Sequence, residues 1–66
     1  MYLVTFQNHT EQKFSSVAKA VEAIENDFQC GTKQELKQIK KSLRCADMVQ
    51  VQHCMSDSCV CWIEKI

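Results

Sequence analysis

The stretch MVQVQHCMSDSCVCWIEK, residues 48–65, decides the fold. Val49 and Val51, then Val60 and Trp62, fall at alternate positions on either side of the polar run Met55-Ser56-Asp57-Ser58, the pattern of two half-buried strands joined by a turn. We expect strands over 48–54 and 59–65. A symmetric turn sets Cys54 opposite Cys59, Gln52 opposite Cys61 and Val51 opposite Trp62. One face then carries Val49, Val51, Val60, Trp62 and Ile66 and is the side to bury. The other carries Gln50, Gln52, Cys54, Cys59, Cys61 and Ile63. Because side chains alternate along a strand, a slip of one residue would scramble that division.

Working back from the hairpin, Thr32-Lys33-Gln34-Glu35 reads as a capping box, with the Thr32 hydroxyl and the Glu35 carboxylate each satisfying a backbone N–H at a helix start. That second helix carries Leu36, Ile39 and Leu43 as its core stripe and ends near Ala46. Before it, Val17, Ala20, Val21, Ala23, Ile24 and Phe28 stand at helical spacing behind a Ser15 or Ser16 N-cap. This first helix should stop at Cys30-Gly31, where glycine takes the left-handed conformation at least steric cost. At the N-terminus Tyr2, Val4 and Phe6 alternate with Leu3, Thr5 and Gln7, a strand with one buried face. Asn8-His9-Thr10 has turn chemistry, and residues 11–14 can return as a short second strand. The fold class is therefore α+β: a small two-layer β(β)ααββ domain with a three- or four-stranded, mostly antiparallel sheet. Two helices cover one face and the other is open.

Sixty-six residues with no proline, one glycine and no repeat give nothing at which to divide the chain, so 1–66 is a single domain. Eight Lys plus Arg cancel eight Asp plus Glu, so attraction to nucleic acid or membrane cannot rest on net charge. Five cysteines cannot all pair within one chain, which argues against a secreted disulfide framework. No charged-then-apolar leader is visible and no run approaches about 20 apolar residues. These features point to a cytoplasmic protein without a membrane span, whose cysteines are thiols or metal ligands.

Two constellations carry chemistry. On helix two, Lys33, Lys37, Lys40, Lys41 and Arg44 fall within roughly a 100° sector, away from the Leu36, Ile39 and Leu43 stripe. Glu22, Glu25 and Asp27 gather in the C-terminal half of helix one, so the molecule is electrically polarised. A basic stripe suits an acidic protein surface or a phosphate backbone. Zero net charge, the lack of a GXXG, RNP or helix-turn-helix signature and the absence of aromatics between the cations favour the protein. The second constellation is Cys54, Cys59 and Cys61, which share one face of the hairpin and could share a zinc ion, the fourth ligand coming from Cys30, Cys45 or His53. In the expected register His53 points to the opposite face, and H-C-x4-C-x-C lacks the paired C-x2-C of zinc knuckles. The simpler reading is that these cysteines pack as small hydrophobes, with no cofactor.

No histidine has an acid or nucleophile at catalytic spacing, so no enzyme is expected. Trp62 reads as a core residue, and the last strand reads as an edge that leaves a homodimer open. In size and style, as a very short chain with a complete two-layer fold and no catalytic set, it resembles the small accessory and inhibitor proteins encoded by phages and other mobile elements. That resemblance rests on no motif. It implies a non-enzymatic protein that binds and blocks a protein partner, through the basic face of helix two or the open sheet face. A nucleic-acid binder using the same lysines, and a zinc-stabilised module on the C-terminal hairpin, are the alternatives.

Overall fold

The last strand of the chain lies inside the sheet, between the first strand and the third. The computed structural model describes residues 1–56 and 58–66. Its elements are β1 (Tyr2–Thr5), β2 (Glu11–Phe14), α1 (Val17–Phe28), α2 (Leu36–Cys45), β3 (Met48–Gln52) and β4 (Val60–Lys65). The four strands form one sheet in the order β2-β1-β4-β3, and every neighbouring pair is antiparallel. The chain is thus a small α+β domain of β-β-α-α-β-β order, as the periodicities predicted. No helix among the described residues is long and apolar enough to cross a membrane.

The core forms where the sheet meets the helices. Val4 pairs with Ile63 on one side of β4 and Val49 pairs with Ile63 on the other, so three β-branched side chains share one row on the covered face. Val4, Ile63, Val51 and Cys61 are wholly buried there, beneath Val17, Ala20, Val21, Ile24 and Phe28 of α1 and Ile39 and Leu43 of α2. The helix stripes are therefore those the sequence spacing marks, except that Ala23 of α1 is only half-buried and Leu36 stays 37% exposed at the start of α2.

The register of the C-terminal hairpin differs from the expected one by a residue. Val51 pairs with Cys61, Gln50 with Trp62 and Gln52 with Val60. Cys61 and Ile63 therefore enter the core, while Val60 and Trp62 turn to the uncovered face, where Trp62 is 38% exposed. Ile66, 54% exposed, does not join the core either. The physical reason is the second neighbour of β4. Its faces must agree with β1 as well as with β3, and Val4 opposite Ile63 satisfies both with compact aliphatic chains. An indole in that row would overfill a small, close-packed core. Among the described residues, the last bond across the hairpin is His53 N–H to the Cys59 carbonyl, at 2.9 Å. Of the expected turn, Asp57 lies outside the described residues.

The connection between the helices also departs from expectation. Ser16 caps α1 as predicted, its hydroxyl accepting Lys19 N–H at 3.3 Å. The left-handed residue at the other end is Gln29, with φ 62°, and not Gly31. Gln29 N–H reaches the carbonyls of Glu25 at 2.9 Å and Asn26 at 3.3 Å. The chain leaves the helix early because residues 31–34 run along the free edge of β3. Cys54 N–H donates to the Gly31 carbonyl (3.2 Å), Lys33 N–H donates to the Gln52 carbonyl (3.0 Å), and Thr32 bridges to His53. The Gln34 amide continues the pairing, accepting Gln52 N–H at 3.1 Å and donating to the Gln50 carbonyl at 3.5 Å. The capping box does not form: Thr32 donates its hydroxyl to the Gln34 carbonyl at 2.6 Å, and Glu35 is the N-cap of α2 without a side-chain cap bond. The segment instead covers part of a strand edge that would otherwise invite pairing with another chain.

The observed register has a measurable consequence. Ile63→Ala should lower the unfolding free energy by about 2–5 kcal/mol, the usual cost of emptying a fully buried branched site, and Trp62→Ala by distinctly less. Urea unfolding of the two variants checks this, and a larger loss for Trp62 would put the indole in the core.

Candidate functional site

Lys37, Lys40, Lys41 and Arg44 stand three, four and seven positions apart and are all exposed, so they share the face of α2 opposite Ile39 and Leu43. The helix itself, LKQIKKSLRC, contains no acid. Arg44 lies in its last turn, the end at which the helix dipole favours a cation. Lys33, grouped with these four by helical spacing, precedes the helix in the segment that pairs with β3, so it is exposed but not on the helical face. Among the described residues, Lys37, Lys40, Lys41 and Arg44 make no ion pair.

Lys40 and Arg44 also line a groove of about 360 Å³ with Lys65 of β4, Tyr2 of β1 and the first turn of α1. Ser15, Ser16, Val17 and Ala18 line it and that turn contains no acidic residue, so the positive dipole end of α1 borders the same groove as three cations. Lys65 was not among the expected binding residues. Nothing in the sequence links it to Lys40; only the insertion of β4 beside β1 brings it there.

The thiols sort into different environments. Cys30, just beyond α1, and Cys54, just beyond β3, are drawn together by the Gly31–Cys54 hydrogen bond and the Thr32–His53 bridge. Their sulfurs are 2.6 Å apart. The His53 imidazole lies beside them, with Nε2 3.3 Å and Nδ1 3.7 Å from Cys30 Sγ. Met55 N–H donates to Nδ1 at 3.0 Å, and the Phe28 ring meets the imidazole at 4.9 Å between centroids, tilted by 62°. The three residues are half-buried and present their donor atoms within 4.8 Å of one another. The hydrogen bond with Cys54, aided by burial and by the neighbouring charge, pushes the Cys30 thiol above its ordinary pKa.

Cys54, Cys59 and Cys61, the trio proposed from the sequence, do not gather their sulfurs in this way among the described residues. Cys61 is wholly buried in the core, Cys59 is half-buried against it, and Cys45 is exposed at the end of α2. Cys30 and His53 were legible only as candidates for a fourth ligand. The strand ladder was expected to run through Cys54 and hold neighbouring side chains on opposite faces. It ends at His53 instead, and Cys54 turns back beside the imidazole.

Comparison with protein-family models, with curated proteins and with solved structures finds no match to this chain.

Burial pushes the Cys61 thiol up to about 11 from its ordinary 9.0, with the charges of Asp27 and Cys59 adding and a backbone hydrogen bond from Gln7 opposing. Below the ordinary value both folded and unfolded chains keep this proton. As pH rises from 9.0 towards about 11 the unfolded chain releases it first, so stability falls through that interval. Denaturation curves of the unaltered protein should lose stability with rising alkaline pH relative to Cys61→Ala, which lacks the group. Parallel curves for the two proteins would show that the thiol is not shielded.

Proposed function

We propose that this chain is a small non-enzymatic interaction protein, of accessory or inhibitor type, that binds an acidic protein surface through the exposed face of α2 and blocks that surface. The observation that carries the reading is the set of four exposed cations, Lys37, Lys40, Lys41 and Arg44, with no ion-pair partner among the described residues. Unpaired like charges on one helical face repel one another, and an anionic partner relieves that repulsion on binding. The groove beside them, with Lys40, Arg44 and Lys65 at the start of α1, suits a carboxylate projecting from the partner.

A protein is preferred to nucleic acid on charge and on reach. The chain is neutral overall, and α2, ten residues long, extends only about 15 Å. A long polyanion crossing it would also meet the exposed Glu22 and Glu25 of α1 in the same helical layer. A protein surface of mixed charge can match both signs. The uncovered sheet face, where Thr5 pairs with a partly exposed Trp62, gives such a partner a second, less polar area of contact.

The test is a charge-neutral variant, Lys37→Gln with Lys40→Gln and Arg44→Gln, used beside the unaltered protein as bait in lysate at low salt. We expect a partner held by the unaltered chain, released by salt and captured at least about tenfold less by the variant, with an unchanged melting temperature. Equal capture by both baits would remove α2 from the interface. Tight, salt-steep binding of the unaltered chain to duplex or single-stranded DNA, lost in the variant, would replace the protein partner with nucleic acid.

A further inference from the structure

We infer that Cys30, His53 and Cys54 form a binding site for a thiophilic divalent cation, of which zinc is the type. Two thiols and an imidazole are the donor set such an ion prefers. They come from two separate parts of the chain and are held by backbone, because Gly31 and Cys54 are joined by a hydrogen bond and Thr32 and His53 by a bridge. All three donor atoms lie within 4.8 Å of one another and the residues are half-buried, so a bound ion would be partly screened from water.

The distances fit with one adjustment. Zinc bonds of about 2.3 Å to sulfur and 2.0–2.1 Å to nitrogen place tetrahedral donors roughly 3.5–3.8 Å apart. Cys30 Sγ and His53 Nε2, at 3.3 Å, are close to that spacing. The two sulfurs, at 2.6 Å, must open by about 1 Å, a shift that side-chain torsion at Cys30 and Cys54 can supply while the Gly31–Cys54 backbone bond stays in place. The protons balance. With Met55 N–H donating to Nδ1, the neutral ring carries its proton on Nε2, facing the sulfur. Capture of the ion releases both thiol protons and moves the ring proton to Nδ1, which gives up its bond from Met55. The ion thus replaces two crowded protons with one cation, and the three residues leave its fourth position to an exogenous donor.

A disulfide between Cys30 and Cys54 is the competing fate of two such close sulfurs, and it makes no use of the imidazole. The third donor is what favours the ion. Binding at this position would tie the C-terminal end of α1 to the β3–β4 connection, joining segments far apart in sequence.

The experiment uses the full chain, purified without a metal-affinity tag and kept reduced, titrated with zinc chloride and read by native mass spectrometry. We expect a single added zinc, a melting temperature that falls on chelation, and protection of Cys30 and Cys54 from alkylation while Cys45 still reacts. Cys30→Ser, Cys54→Ser and His53→Ala should each lose the added mass and Cys45→Ser should keep it, with circular dichroism confirming that each is folded. Alkylation mapping needs no variant, so a substitution that unfolds the chain does not leave the question open. A bare-chain mass at excess zinc overturns the site. So does protection of Cys59 and Cys61 in place of Cys30 and Cys54, or a product lighter by a pair of hydrogens with Cys30 and Cys54 crosslinked.

Discussion

The row in which Val4, Ile63 and Val49 meet is the constraint on which the rest of the structure depends. It joins the first strand to the last, so the two ends of the chain close one sheet. It also sets which side of β4 is covered by the helices. A chain of this length has little apolar surface to bury, and a core drawn from both helices and from β1, β3 and β4, with half-buried Phe14 of β2 against it, makes the most of it. With Ile63 inside, Cys61 follows it in and Trp62 is turned out. One pairing thus decides the identity of a core thiol and the character of the open face.

A second constraint is the free edge of β3. Residues 31–34 run along it, and Gln34 supplies through its side chain the hydrogen bonds that another strand would have made. This docking explains why α1 ends at Phe28, why Gln29 takes a left-handed conformation, and why α2 starts only at Leu36. The same pairing carries Cys30 to Cys54 and His53. Edge protection and the gathering of three soft donors are therefore consequences of one local arrangement. The polar and charged surface is divided elsewhere, with cations along α2 and exposed carboxylates along α1. The basic groove and the thiol–imidazole cluster are separate features, and either can be altered without touching the other's residues.

The elements, their order and the cations of α2 could be read from the chain because each rests on local periodicity. Val17, Ala20, Val21, Ile24 and Phe28 mark a buried helical stripe whatever packs on it, and the lysines opposite Ile39 and Leu43 are exposed for the same reason. The two-residue period at both ends of the chain likewise required strands. What periodicity cannot supply is phase between strands. The C-terminal hairpin offers two registers differing by one residue, each with apolar side chains on both faces, and its turn does not choose between them. Contact with Val4, nearly the whole chain away, makes the choice.

Sequence alone determined a small α+β fold with two amphipathic helices, a basic face on the second of them and zero net charge, since these follow from composition and from spacing within each element. Tertiary structure decided the rest: Trp62 outside and Cys61 inside, Lys65 beside Lys40 and Arg44, and Cys54 with Cys30 and His53 in place of Cys59 and Cys61. The physical reason is common to all three. Each depends on which strands are neighbours and on the face each one turns inward, and those are set by burial shared among distant segments, not by the residues next to one another in the chain.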